Sequence, residues 1–121
     1  MATVNPSIST IEGDGSVMQI VWNLTNVDTE GAPVRWCQYA DRSIQLSGVW
    51  NGATVVLQGS NDGTAWFTLS DPQANPISAS VNTLEQVLEM TQFVRPLLTN
   101  GGAATVLAAN LVVRRANPMR T

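Results

Sequence analysis

The chain has 121 residues, with one cysteine, no histidine, no lysine and a formal net charge of −3 from six arginines and nine acids. That length suits a single domain with one hydrophobic core, and the lone Cys37 excludes an intrachain disulfide framework. Charged residues are 12% of the chain, about half the ~25% usual in globular domains, so there is no broad basic stripe for nucleic acid.

Residues 1–16, MATVNPSISTIEGDGS, carry only scattered apolar residues and read as an extended N-terminal arm rather than a strand with its own hydrophobic face. Two alternatives stand for it: a mobile terminus, or a segment ordered on a neighbouring subunit. From Val17 the pattern alternates, with Met18, Ile20, Trp22 and Leu24 on one face, which predicts a strand. A polar loop is expected over 25–33, then a less decisive strand from Val34 through Trp36 and Cys37 to Tyr39.

The stretch from Arg42 to Leu69 reads as three strands separated by two turns. Ile44, Leu46, Gly48 and Trp50 share one face, and Asn51-Gly52 follows, the strongest short-range hairpin signal because both residues tolerate positive φ. Val55, Leu57 and Gly59 form the next apolar row, and Ser60 to Thr64 the second turn. Two prolines in 70–76 break the sheet. Asn82 followed by Glu85 resembles a capping box, and with Leu84, Val87 and Leu88 it predicts a short helix between Thr83 and Met90. Pro96 marks the strand over 91–99 as an edge strand or bulged. The last strand, 104–115, is apolar on both faces over much of its length, which suits a central position or a covered face. The tail 116–121 is irregular.

The expected fold is all-β: a β-sandwich or jelly roll of seven to eight mainly antiparallel strands with one short helix, spanning residues 17–115. No apolar run approaches ~18 residues and no basic start precedes one, so the expectation is a soluble protein made without an export signal and with no membrane partner.

Catalysis has few parts to draw on. Without histidine the commonest general base and transition-metal ligand is missing, Cys37 has no histidine or lysine to ionise it, and Asp41, Asp62 and Asp71 lie in or beside turns, where carboxylates favour backbone hydrogen bonds. No catalytic, cofactor or metal residue is assigned, and the protein is expected not to be an enzyme. Each of Trp22, Trp36, Trp50 and Trp66 would remove ~150–250 Å² from water, on the order of 4–6 kcal/mol before entropy is subtracted, so their default place is the core. The alternative for Trp50 and Trp66, both beside turns, is a sugar-stacking platform.

A surface of Ser, Thr, Asn and Gln hydrogen-bonds another protein without desolvating charge. In that context RSIQLSGVWNGA, VVLQGSNDGTAWFTLSDPQ and the later FVRPLLTNGG together resemble a family of small bacteriophage virion structural proteins that includes capsid cement or decoration proteins. The resemblance covers roughly residues 41–115. It implies a homo-oligomer, a dimer or trimer, that binds the major capsid protein on the outer surface of the phage head and bridges capsomers there. Residues of the arm and tail, Val4, Ile8, Ile11, Arg114, Arg115, Met119 and Arg120, are then the candidates for capsid and self-association. The competing readings are a receptor- or carbohydrate-binding β-sandwich module and a tail or baseplate component.

Overall fold

The computed structural model describes residues 2–26, 28–35 and 38–115. Trp36, Cys37, Met119, Arg120 and the whole expected tail lie outside the described residues. Eleven strands follow one another: β1 (Ala2–Val4), β2 (Ser7–Thr10), β3 (Val17–Thr25), β4 (Asp28–Gly31), β5 (Asp41–Val49), β6 (Thr54–Ser60), β7 (Phe67–Thr68), β8 (Ser78–Ala79), β9 (Thr83–Gln86), β10 (Phe93–Thr99) and β11 (Val106–Arg114). They build two sheets, one ordered β1-β4-β10-β6-β7 with β8 also on β6, the other β2-β3-β11-β5-β9. Every pairing is antiparallel except the parallel β1 on β4.

The inner faces are the expected alternating rows. Ile20, Trp22 and Leu24 from β3, Ile44 and Leu46 from β5, and Leu107, Ala109, Leu111 and Val113 from β11 meet Val55 and Leu57 from β6 and Val94 and Leu98 from β10 in one core. β11 is central in its sheet, with β3 on one side and β5 on the other, as its two-sided apolar pattern requires.

The Asn51-Gly52 turn has the backbone expected of it, with φ of 46° and 85° and Ala53 N donating to Trp50 O at 2.8 Å. It does not close a hairpin. β5 belongs to one sheet and β6 to the other, so the turn carries the chain across the sandwich. Gly48, at φ 135°, stays paired with Leu107 of β11 in a conformation that other residues rarely adopt, and a Cβ there would run into Val106 O. The Asn100 turn, φ 59°, makes the reverse crossing from β10 to β11, and the two crossings are tied together. Thr105 Oγ1 accepts from Gly102 N at 2.9 Å and donates to Trp50 O at 3.0 Å.

Four expectations are corrected. Thr83–Gln86 is a strand on the edge of β5, and there is no helix among the described residues: Asn82 Oδ1 accepts from Gly48 N at 3.2 Å and from Trp50 Nε1 at 2.8 Å, so it does not cap, and the open edge of β5 takes the segment instead. Strands among the described residues number eleven rather than seven or eight, because the polar loop contains β4 and the arm contains β1 and β2. In the segment expected as a second strand, Val34 makes a two-way bridge with Val94, while Tyr39 is buried off the sheets and donates to Gly15 O at 2.7 Å. β10 is internal despite Pro96, because the proline's ring faces β4, with which β10 registers only at Leu97–Glu30, and its missing N–H therefore breaks no long ladder.

The arm pairs within its own chain. β1 extends one sheet on β4, and after Asn5-Pro6 β2 extends the other on β3, with Ile8 opposite Ile20. It therefore spans both sheets at one margin of the sandwich.

Trp22 is fully buried on β3 and its indole donates to Ala32 O at 2.9 Å, just beyond β4 in the other sheet. A Cβ added to Gly31 would lie 2.5 Å from Trp22 Cδ1 and 2.6 Å from Pro96 Cδ. Gly31→Ala should therefore destabilise the domain by about 1–3 kcal/mol through overpacking, read as a lower denaturant midpoint at unchanged slope. An unchanged midpoint would show that the Trp22 contact has room to relax.

Candidate functional site

The outward face of the β2-β3-β11-β5-β9 sheet is unusual in its lack of charge. Across its middle, Val21, Asn110, Gln45 and Leu84 form one row, and Gln19, Val112, Ser43 and Gln86 the next. Asn23, Ala108 and Ser47 form a third and Thr25, Val106 and Val49 a fourth. None is charged. The only ions on the paired strands of this face are Asp41 and Arg114 at one end, joined at 2.6 Å. Gln19 Nε2 donates to Asn110 Oδ1 at 3.1 Å, so amides already order one another. The side chains alternate in or out by strand geometry alone, and the sequence fills the outward positions with amides, hydroxyls and small aliphatics, where long charged side chains are the usual choice.

Five strands ~4.8 Å apart, up to nine residues long at ~3.3 Å each, make a face of roughly 20 by 30 Å, on the order of 600 Å². That approaches the ~800 Å² each partner gives a standard protein interface.

The residues singled out from sequence are scattered. Val4 is half-buried against the core, while Ile8 and Ile11 are about half exposed on the arm. Arg114 is held by Asp41, and Arg115 anchors backbone at the 14–16 loop through its own N–H to Ser16 O at 2.8 Å. Trp50 packs against the core with its N–H on Asn82, and Trp66 has the Arg95 guanidinium 4.0 Å over its ring. Arg95 is in turn paired with Glu30 and donates to Gln58 Oε1 at 3.0 Å. Trp50 precedes the start of β6 and Trp66 lies beside its end, so seven residues of strand, about 20 Å, separate the two rings and they form no common platform.

The Ser60–Thr64 turn is self-contained. Asp62 Oδ1 accepts from Ser60 Oγ at 2.9 Å, Thr64 N at 2.8 Å and Ala65 N at 2.9 Å, while Ser60 Oγ accepts from Asp62 N and Gly63 N. The Ala65 and Thr64 amides, then Ser60, hold the Asp62 carboxyl down at about 2. Asn61 Oδ1 accepts from Gln92 N at 3.0 Å, tying the turn to the approach to β10. Beside it opens a cavity of about 340 Å³ lined by Gly59, the Ser60–Asp62 turn, Phe67, Leu69, Glu89 and Thr91. Phe67 stands 69% exposed at this site. Phe67 and Glu89 carry no signal in the sequence: one aromatic in a two-residue strand has no periodicity, and Glu89 falls in the span whose spacing predicts a helix.

Carboxylates also meet where no spacing suggested it. Glu85, on β9, reaches Asp71, which is itself buried and accepts from Gln73 N and Asn75 N at 2.9 and 3.0 Å. Loss of solvent raises the Glu85 carboxyl, and the hydrogen bond to Asp71 and its like charge add to that. Among the described residues no group of three or more potential ligands is placed to hold a metal ion. The sequence matches no protein-family model and no curated protein.

Two opposite pH dependences follow. Asp62 gives up its proton more readily folded than at its ordinary 3.8, so its contribution is complete above that pH and is lost as the pH falls toward 2. Asp62→Asn should lower the melting temperature at pH 7, with the gap closing across that acid range. For Glu85 the raised pKa reverses the sign: ionisation above its ordinary 4.5 costs stability as the pH rises. Glu85→Gln should melt higher than wild type at pH 7 and equal to it below about 4.5. A pH-independent gap in either variant would refute the assigned contacts.

Proposed function

We propose that this protein is a non-enzymatic structural component of a phage virion, a cement or decoration protein that binds the outer face of the head and bridges capsomers. The observation that carries the reading is the uncharged outward sheet face. It is large and uncharged across its four rows, and the Gln19 and Asn110 amides already bond one another, so covering it requires little desolvation of charge. The sequence resemblance over residues 41–115 points the same way.

The strand orders support the finer fold reading, a jelly roll. With β7 and β8 together as one strand, β3-β11-β5-β9 and β4-β10-β6-β7 are the two four-stranded sheets of two interlocked Greek keys, a design common in viral shells and in lectins; β1 and β2 are additions at one margin. That pairing gives the arm a stabilising role in its own domain, so residues such as Ile8 and Ile11 reach a neighbour from a fixed edge.

A protein that binds only the assembled, expanded lattice stabilises that lattice by mass action. Many copies, each touching more than one major capsid subunit or another copy of itself, gain further from effective concentration. The partners are thus the major capsid protein and this chain, with neither nucleic acid nor membrane engaged, and the site of action is the virion surface.

Ala108 sits at the middle of the neutral face, between Asn23 and Ser47. Ala108→Glu should leave thermal stability within about 0.5 kcal/mol, as for a surface substitution. It should weaken both self-association in the ultracentrifuge and occupancy on purified expanded heads of the parent phage by about tenfold or more. Wild-type protein that stays monomeric and does not bind such heads would end the proposal.

A further inference from the structure

The cavity beside the Ser60–Thr64 turn differs in kind from the neutral face. We infer that it takes a neutral saccharide, one or two sugar units long, with the ring's C–H face on Phe67 and its hydroxyls donating to the carboxylates of Asp62 and Glu89.

Its volume, about 340 Å³, lies at the small end of ligand pockets, roughly 300–1,000 Å³. Its floor is apolar and close-packed: Leu69 is buried, and a Cβ on Gly59 would come within 2.6 Å of Leu69 Cδ2 and 2.5 Å of Thr91 Oγ1. One wall is the turn fixed by Asp62 and Ser60. The other holds Glu89, whose Oε1 accepts from Ser70 N at 2.6 Å, and Thr91, whose hydroxyl donates to Phe93 O at 2.8 Å. The walls are thus set before any ligand arrives, which lowers the ordering cost of binding.

The chemistry of the walls selects the ligand class. Ionised carboxylates only accept hydrogen bonds, and their O–H···O⁻ bonds are the short, strong kind. Vicinal hydroxyls supply such donors in pairs. A cation is less well suited, because both carboxylates are already answered by backbone N–H groups, Asp62 by Thr64 and Ala65 of its own turn and Glu89 by Ser70 of the neighbouring segment. The buried Arg42 guanidinium also lies behind the wall, donating to Thr91 O at 3.2 Å. Phe67 supplies what the carboxylates cannot: an exposed aromatic face on which the apolar side of a sugar ring stacks. Trp66 is one residue away, but its ring is under Arg95, so Phe67 is the platform.

The test is a titration of the full-length ¹⁵N-labelled chain with glucose, galactose, mannose and N-acetylglucosamine and their disaccharides up to about 10 mM, the range of weak single-site binding. At least one should give saturable shifts centred on Gly59, Gly63 and Phe67. Phe67→Ala, an exposed substitution, should melt like wild type and bind that sugar about tenfold or more weakly, and Glu89→Gln, which keeps an acceptor for Ser70 N, should also bind more weakly. Three results overturn the inference: no sugar gives saturable shifts; Phe67→Ala and Glu89→Gln both bind as wild type does; or an arginine-rich peptide binds the cavity while the sugars do not. Head occupancy of Phe67→Ala should equal that of wild type, so this outcome is separable from the test at Ala108.

Discussion

The two sheets depend on one contact. Trp22, rooted in β3, crosses the interior to place its indole N–H on Ala32 O and its ring edge on Gly31, with Pro96 of β10 against the same glycine. A large aromatic body supplies most of the area buried at that point, and the hydrogen bond fixes where along the opposite sheet it lies. Only glycine on β4 leaves room for it. The spacing and registration of the layers follow from that fit, and every outward-facing surface inherits its orientation from them.

Around this fixed interior the chain crosses between sheets repeatedly, and the crossings hold one another. Thr105 joins the turn after β10 to the turn after β5, and Asn82 reaches from the start of β9 to Gly48 and Trp50 at the end of β5. Arg42 is buried beneath the approach to β10, donating to Tyr39 O at 2.8 Å as well as to Thr91 O. These polar links lie at the ends and margins of the core. They tie the connections at each end to the strands and to one another, so the neutral face and the cavity are carried on a framework fixed by side-chain hydrogen bonds as well as by the ladders.

The two surfaces work by different physics. On the neutral face, affinity comes from area and shape, since amides and hydroxyls exchange water for protein partners at little net gain each. In the cavity, a few converging groups and one aromatic ring determine which ligand fits. On the proposed reading, one molecule holds to a broad partner with the first and takes a small neutral ligand with the second, at separate places on its surface.

Alternation in the sequence determined that the chain is all-β, and it put Ile20, Trp22 and Leu24 on one face and Val55 and Leu57 in one apolar row, because a period of two fixes which residues share a side of a strand; for the last strand, apolar on both sides, it left the inward face open. The two turn residues Asn51 and Gly52 likewise determined a positive-φ backbone. Which strands became neighbours was decided only in three dimensions: the same turn conformation serves a hairpin or a crossing, and the choice rests on whether β5 pairs better with β11 and β9 than with β6. Thr83–Gln86 shows the same limit, since its helical spacing and Asn82 cap were local preferences, and the unfilled hydrogen bonds along β5 outweighed them. The cavity was beyond sequence reading for the same reason. Asp62 and Phe67 share one hairpin, but Glu89 comes from a distant segment, and only packing of the 89–91 stretch against the end of β6 brings it to them.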